Sequence, residues 1–183
     1  MIKYYMNIKF KNLRLYTAIL IVILSGIIYT LNISFNLFNL FINLVNFILI
    51  WIILVILIII IIKLFYRNKK SQFLLLFYNI GLNFILFVII FLINYLISIY
   101  LNSINIEFNS IENVISYTNN VIYQILLNLS LILTYINYIA FSILVAFSIR
   151  RVYNISIIAA FYISFPLVLL IIIIIPSITI YLL

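Results

Sequence analysis

Phe47-Ile48-Leu49-Ile50-Trp51-Ile52-Ile53-Leu54-Val55-Ile56-Leu57-Ile58-Ile59-Ile60-Ile61-Ile62-Lys63 decides the architecture. The stretch carries no charge before Lys63, and the uncharged run reaches back to Leu15, next to Arg14. About 20 apolar residues in a helix cross the hydrocarbon core of a bilayer. In water such isoleucine runs favour strands. In lipid every backbone polar group must be satisfied within its own segment, so a helix wins unless a barrel closes. Barrel strands alternate apolar and polar residues in segments of about 10, whereas this run is apolar on both faces. The reading is a transmembrane helix.

Working outward, the same test predicts spans at about 15–35, 37–62, 73–100, 122–149 and 155–183, with a weak break near Thr30 to Asn36. Long isoleucine runs recur at Ile171 to Ile175, and Pro166 and Pro176 fall inside the last span. Composition agrees: 69% of the 183 residues are hydrophobic and only 7% charged, against about 25% charged in soluble domains. Too little polar surface exists to cover a water-facing globule. The expected fold is therefore an all-α integral membrane protein, a bundle of about five transmembrane helices. Residues 1–14 form a short basic tail, 15–183 a single transmembrane domain, and 101–121 a polar loop holding Glu107 and Glu112.

Five spans place the tail, the cluster Lys63, Arg67, Lys69, Lys70 and the pair Arg150, Arg151 on one side. All ten basic residues then share that side, as the positive-inside rule asks. The tail is followed by a full-length span rather than a short apolar region with a cleavage site, so it reads as an uncleaved inside segment. These cations are topology determinants that can meet anionic lipid headgroups. No basic face large enough for nucleic acid exists outside the apolar segments.

The inventory excludes much chemistry. There is no His and no Cys, and Glu107 and Glu112 are the only carboxylates. Haem, copper, zinc and iron–sulfur sites lose their usual ligands, and Ser–His or Cys–His nucleophiles are absent. Ionisable groups inside a membrane mark ion or proton pathways, and none falls mid-span here. The expectation is a protein with no active site of its own and no directly bound cofactor. It would assemble with other hydrophobic subunits and with lipids, a structural phospholipid such as cardiolipin included.

Two polar patterns stand out. Asn32, Asn36, Asn39, Asn43 and Asn46 are spaced 4-3-4-3, which on one helix would put all five on one face. An amide in hydrocarbon needs a partner, so this stripe reads as a packing seam with a neighbouring helix or subunit, or as the wall of a hydrated path. A looser polar face follows on the fourth span: Gln124, Asn128, Tyr135, Tyr138 and Ser142.

Residue choice points to a source. Gly, Pro, Arg and Ala, whose codons are GC-rich, are scarce, while Ile, Asn, Phe, Tyr and Lys dominate. Such a chain resembles a hydrophobic respiratory-chain subunit encoded in an AT-rich protist mitochondrial genome, as in ciliates. The third span, Tyr78-Asn79-Ile80-Gly81-Leu82-Asn83-Phe84-Ile85-Leu86-Phe87, resembles the third helix of subunit 6 of respiratory complex I, with Asn79 in place of an aromatic. The polar stretch 101–121 and the Pro166 helix resemble that family's corresponding parts. The resemblance implies a coupling or structural role in the membrane arm, with Tyr78, Gly81, Leu86 and Phe87 in a segment that can carry a π-bulge. It also implies the mitochondrial inner membrane, where the charge bias puts the N-terminus on the matrix side, opposite to that family's orientation.

Two alternatives stay open. One is a structural subunit of complex III, complex IV or ATP synthase. The other rests on Ile149-Arg150-Arg151-Val152-Tyr153-Asn154, which resembles the Leu-Arg-Leu-x-x-Asn segment of the ATP synthase proton-channel subunit a. That resemblance would make Arg150 the channel arginine.

Overall fold

The computed structural model describes residues 2–33, 36–67, 69, 72–103 and 121–182, with side chains over 13–32, 36–67, 69, 72–101 and 121–171. Lys70, Glu107, Glu112 and the bulk of the polar loop lie outside the described residues. Every regular element described is helical: α1 (Ile2–Ile33), α2 (Leu37–Phe65), α3 (Phe73–Asn83), α4 (Ile85–Ser103), α5 (Val121–Tyr153) and α6 (Ile157–Leu182). Four stretches are long and apolar enough to cross a bilayer: Leu13–Asn32, Leu37–Phe65, Phe73–Leu101 and Val121–Tyr153. α6 supplies a shorter fifth, Ile157–Ile171. The protein is a multi-pass helical membrane bundle, as the apolar run lengths require. The basic tail does not form a separate segment, since α1 runs through it from Ile2.

Local chemistry sets the helix ends. Asn36 has extended backbone angles and its side chain accepts from Phe38 N–H at 3.2 Å, an N-cap that starts α2. α5 closes at Asn154, whose N–H donates to the Arg150 carbonyl at 2.8 Å. Its φ of 51° is a left-handed conformation that asparagine tolerates better than most residues. Ser156 Oγ then accepts from Ala159 N–H at 3.2 Å and starts α6. The three residues 154–156 therefore turn the chain back on itself.

Interhelical bonds fix directions. Ser25 on α1 reaches Phe84, and Asn32 reaches Phe91, both 59 residues on, so α1 runs parallel to α3–α4. Asn83 pairs with Ser148 and Asn94 with Thr134, so α5 runs antiparallel to them. Asn43 meets Thr30, so α2 returns antiparallel to α1. This order brings Arg14, Lys63, Arg67, Lys69, Arg150 and Arg151 to one end of the bundle. The charge pattern called for that arrangement.

Aromatic rings fill the centre. Phe87 lies 4.8–6.2 Å, centroid to centroid, from Phe47, Phe84, Phe91, Tyr138 and Phe141. Trp51, the only tryptophan, stacks on Phe77 at 3.8 Å and donates its indole N–H to the Phe77 carbonyl at 2.8 Å. That bond satisfies a polar atom buried in an apolar core. Gly81 faces the same ring. A Cβ added there would stand 2.6 Å from Trp51 Cζ2 and 2.8 Å from Ala18 Cβ, so α1, α2 and α3 converge where only glycine fits.

Candidate functional site

The third span is broken where the complex I resemblance placed its special segment. At Phe84 the backbone N–H bonds to Gly81 O at 3.2 Å, an i→i−3 turn in place of the α-helical i→i−4 bond. The break tightens the helix, in the 3₁₀ sense, whereas a π-bulge would widen it. Ser25 Oγ sits 3.2 Å from the Phe84 carbonyl and 2.9 Å from Ile21 O, its one proton shared between them. The Phe84 carbonyl keeps its α-helical partner, Val88 N–H at 3.2 Å, so Ser25 ties α1 to the break without displacing a ladder bond there. Of the residues singled out here, Tyr78, Gly81 and Phe87 are buried and Leu86 half-buried.

The asparagine stripe is corrected by the structure. The five residues do not share one helix, because the chain leaves α1 after Ile33 and Asn36 caps α2. A 4-3-4-3 spacing defines a face only while the helix is continuous. Asn32 donates from Nδ2 to Ile28 O at 2.9 Å and Phe91 O at 2.8 Å. Asn43, 8% exposed, donates to Thr30 Oγ1 at 3.1 Å. Asn39 and Asn46 are half-buried and also engaged. Asn32 and Asn43 therefore join helices within this chain.

A repeated device emerges that the stripe only hinted at. Thr30, Ser148 and Thr134 each give the hydroxyl proton to the carbonyl four residues back, at 2.8, 3.1 and 2.9 Å. Each hydroxyl oxygen then accepts an asparagine amide from another helix: Asn43, Asn83 and Asn94, at 3.1, 3.0 and 3.3 Å. The clasp satisfies donor and acceptor inside lipid without any charge. Asn43→Leu and Thr30→Val should each lower stability by about 0.6 kcal/mol, the average for such membrane bonds. Because both remove the same bond, the double variant should lose little more than either single one. Unfolding of purified protein in mixed micelles reads this directly.

One clasp floors a cavity. Between α3 and α5, at the basic end, a space of about 670 Å³ is lined by Asn79, Asn83, Ser148, Arg150, Arg151 and Asn154, with Leu82, Leu144 and Phe147 as its apolar wall. Asn79 and Asn83 sit one helical turn apart and face Ser148 and Arg151, three apart on α5. Arg150, Arg151 and Asn154 are exposed, while Ser148 is buried. The Asn79 amide nitrogen is shut from water with no partner among the described residues. Comparison with protein-family models, curated proteins and solved structures finds no match.

The remaining residues fall as follows. Lys63, Arg67 and Lys69 are exposed at the same end as the cavity. Arg150 lies in the last turn of α5, at the end of its span rather than midway. On the fourth span the expected polar face divides. Gln124 and Asn128 line a separate space of about 250 Å³ near the other end, Tyr135 is exposed, Tyr138 joins the aromatic centre, and Ser142 is buried, donating to Tyr138 O at 2.8 Å. Asn137, 1% exposed in the middle of α5, pairs neither amide atom within the described residues. No group of three His, Cys, Asp or Glu able to hold a metal exists among the described residues. The sequence reading passed over Asn83, Ser148, Asn94 and Thr134. The signal was there, as isolated asparagines in apolar spans, each needing a partner.

Proposed function

We propose that this chain is a non-catalytic membrane subunit of a mitochondrial inner-membrane respiratory complex. Our choice is the membrane arm of complex I (NADH:ubiquinone oxidoreductase), with a subunit 6-like coupling or structural role. The observation that carries the reading is the break at Phe84, inside the segment Tyr78 to Phe87, where Ser25 ties α1 to the interrupted helix. An interrupted helix gives a bundle a place where the backbone can change its hydrogen-bond register at small cost, which a coupling element requires. The uncharged amide–hydroxyl clasps support it too. Every described ionisable Lys and Arg lies near a span end, so proton or electron chemistry would belong to neighbouring subunits. The position of Arg150 in the last helical turn favours a headgroup-facing role over that of a channel arginine.

Mass spectrometry of native-gel bands from mitochondrial membranes tests this. The expected result is comigration with complex I subunits. Comigration with complex III, complex IV or ATP synthase would overturn the assignment and leave a structural subunit of that complex.

A further inference from the structure

We infer that the cavity between α3 and α5 is a binding site for a phosphate ester, with an anionic phospholipid headgroup as its source. Three observations meet there. Arg150 and Arg151 bring two positive charges to its exposed side, and neither guanidinium forms an ion pair or hydrogen bond with any described residue. The chain has only two acidic residues, Glu107 and Glu112, and both lie outside the described residues. Among the described residues the two arginines therefore have no acidic counter-ion.

The second observation is the inner wall. Asn79 and Asn83 supply amide donors, and the Asn79 nitrogen is an orphan shut from water. A buried donor without a partner costs more than one left in solvent, and a turn of the Asn79 amide toward the cavity would let it meet an acceptor there. Guanidinium forks suit phosphate oxygens two at a time, and the amides behind them suit the ester oxygens. Nothing in the lining would attract a cation.

The third is place and shape. About 670 Å³ accommodates a headgroup and its glycerol. Leu82, Leu144 and Phe147 continue the wall in apolar form, matching the start of acyl chains. Since the cavity lies at the end of the spans, where headgroups sit, a lipid reaches it by lateral diffusion. A soluble phosphate ester presents the same chemistry and would have to enter from the aqueous side.

The test uses the full chain purified in non-ionic detergent, titrated with phosphatidylglycerol and with phosphatidylcholine under native mass spectrometry. Phosphatidylglycerol should bind about tenfold or more tightly, the scale of one charge-assisted hydrogen bond. Arg150→Gln with Arg151→Gln should abolish that preference. Asn83→Leu should weaken phosphatidylglycerol binding, and Arg67→Gln, at the same end but outside the cavity, should leave it unchanged. Circular dichroism establishes that each variant keeps its helices. Should the double arginine variant lose them, Asn79→Leu and Asn83→Leu carry the test alone. Millimolar inorganic phosphate that fails to displace the lipid supports the headgroup source. Displacement at that concentration overturns the lipid source and leaves a soluble phosphate ester. Equal binding of the two lipids, or an equal loss in Arg67→Gln, overturns the site.

Discussion

Gly81→Val is expected to lower the unfolding free energy of the purified bundle by about 3 kcal/mol, the upper end of the range for overpacked cores. The added Cβ would stand 2.6 Å from the Trp51 ring and 2.8 Å from Ala18 Cβ, well inside van der Waals contact. Neither neighbour yields easily. Trp51 is pinned by its bond to the Phe77 carbonyl and by stacking on Phe77, and Ala18 Cβ moves only with the α1 backbone. Gly81→Ala meets the same contacts, partly offset by the gain of about 1 kcal/mol in helix propensity. Gly26 supplies the comparison. There an added Cβ meets Leu44 Cδ2 at 3.1 Å, the end of a flexible side chain, and Leu44 Cα at 3.3 Å. Gly26→Ala should therefore be close to neutral and Gly81→Ala clearly destabilising. Unfolding in mixed micelles, followed by far-UV dichroism and Trp51 fluorescence, separates them. Equal effects at the two glycines would contradict the packing described.

Phe87→Ala should be the second large loss, about 2 kcal/mol. In a membrane the transfer term nearly cancels, because lipid tails are as apolar as the core. What remains is the cavity, at about 24 cal/mol per Å³ over a ring volume on the order of 100 Å³. Collapse into the space is hindered because five aromatic rings border it, from α2, the α3–α4 junction, α4 and α5. Leu86→Ala, one position earlier and half-buried, should lose less. The same micelle titration measures both. An equal loss at Leu86 and Phe87 would mean that the aromatic cluster is not the centre of packing.

These two positions show what the sequence displays and what it hides. Run length revealed the spans, because a stretch such as Phe47 to Ile62 has a single solution in lipid. The side of the basic ends followed from the same count of crossings. The asparagines announced that partners were needed, yet spacing alone could not say that the helix ends between Asn32 and Asn36. Nor could it tell that Thr30 and Phe91 would be the acceptors, since those contacts depend on how whole helices pack. The break at Phe84 is marked in sequence only by Gly81 nearby, and the hydroxyl that meets it comes from Ser25, 59 residues earlier. The cavity needed both Asn83 on α3 and Ser148 on α5, which no local pattern joins.

The bundle rests on one arrangement, in which successive spans cross in alternation and gather the described cations at one end. The chain has no cysteine, so single-cysteine variants give a clean readout. Arg14→Cys, Arg67→Cys and Arg151→Cys would be compared with Val121→Cys, each expressed in a bacterial inner membrane and treated with a membrane-impermeant maleimide before and after lysis. Val121→Cys alone should label in intact spheroplasts, and the other three should label only after lysis. Labelling of Arg151→Cys from the same side as Val121→Cys would contradict this arrangement, because α5 would then not cross the membrane.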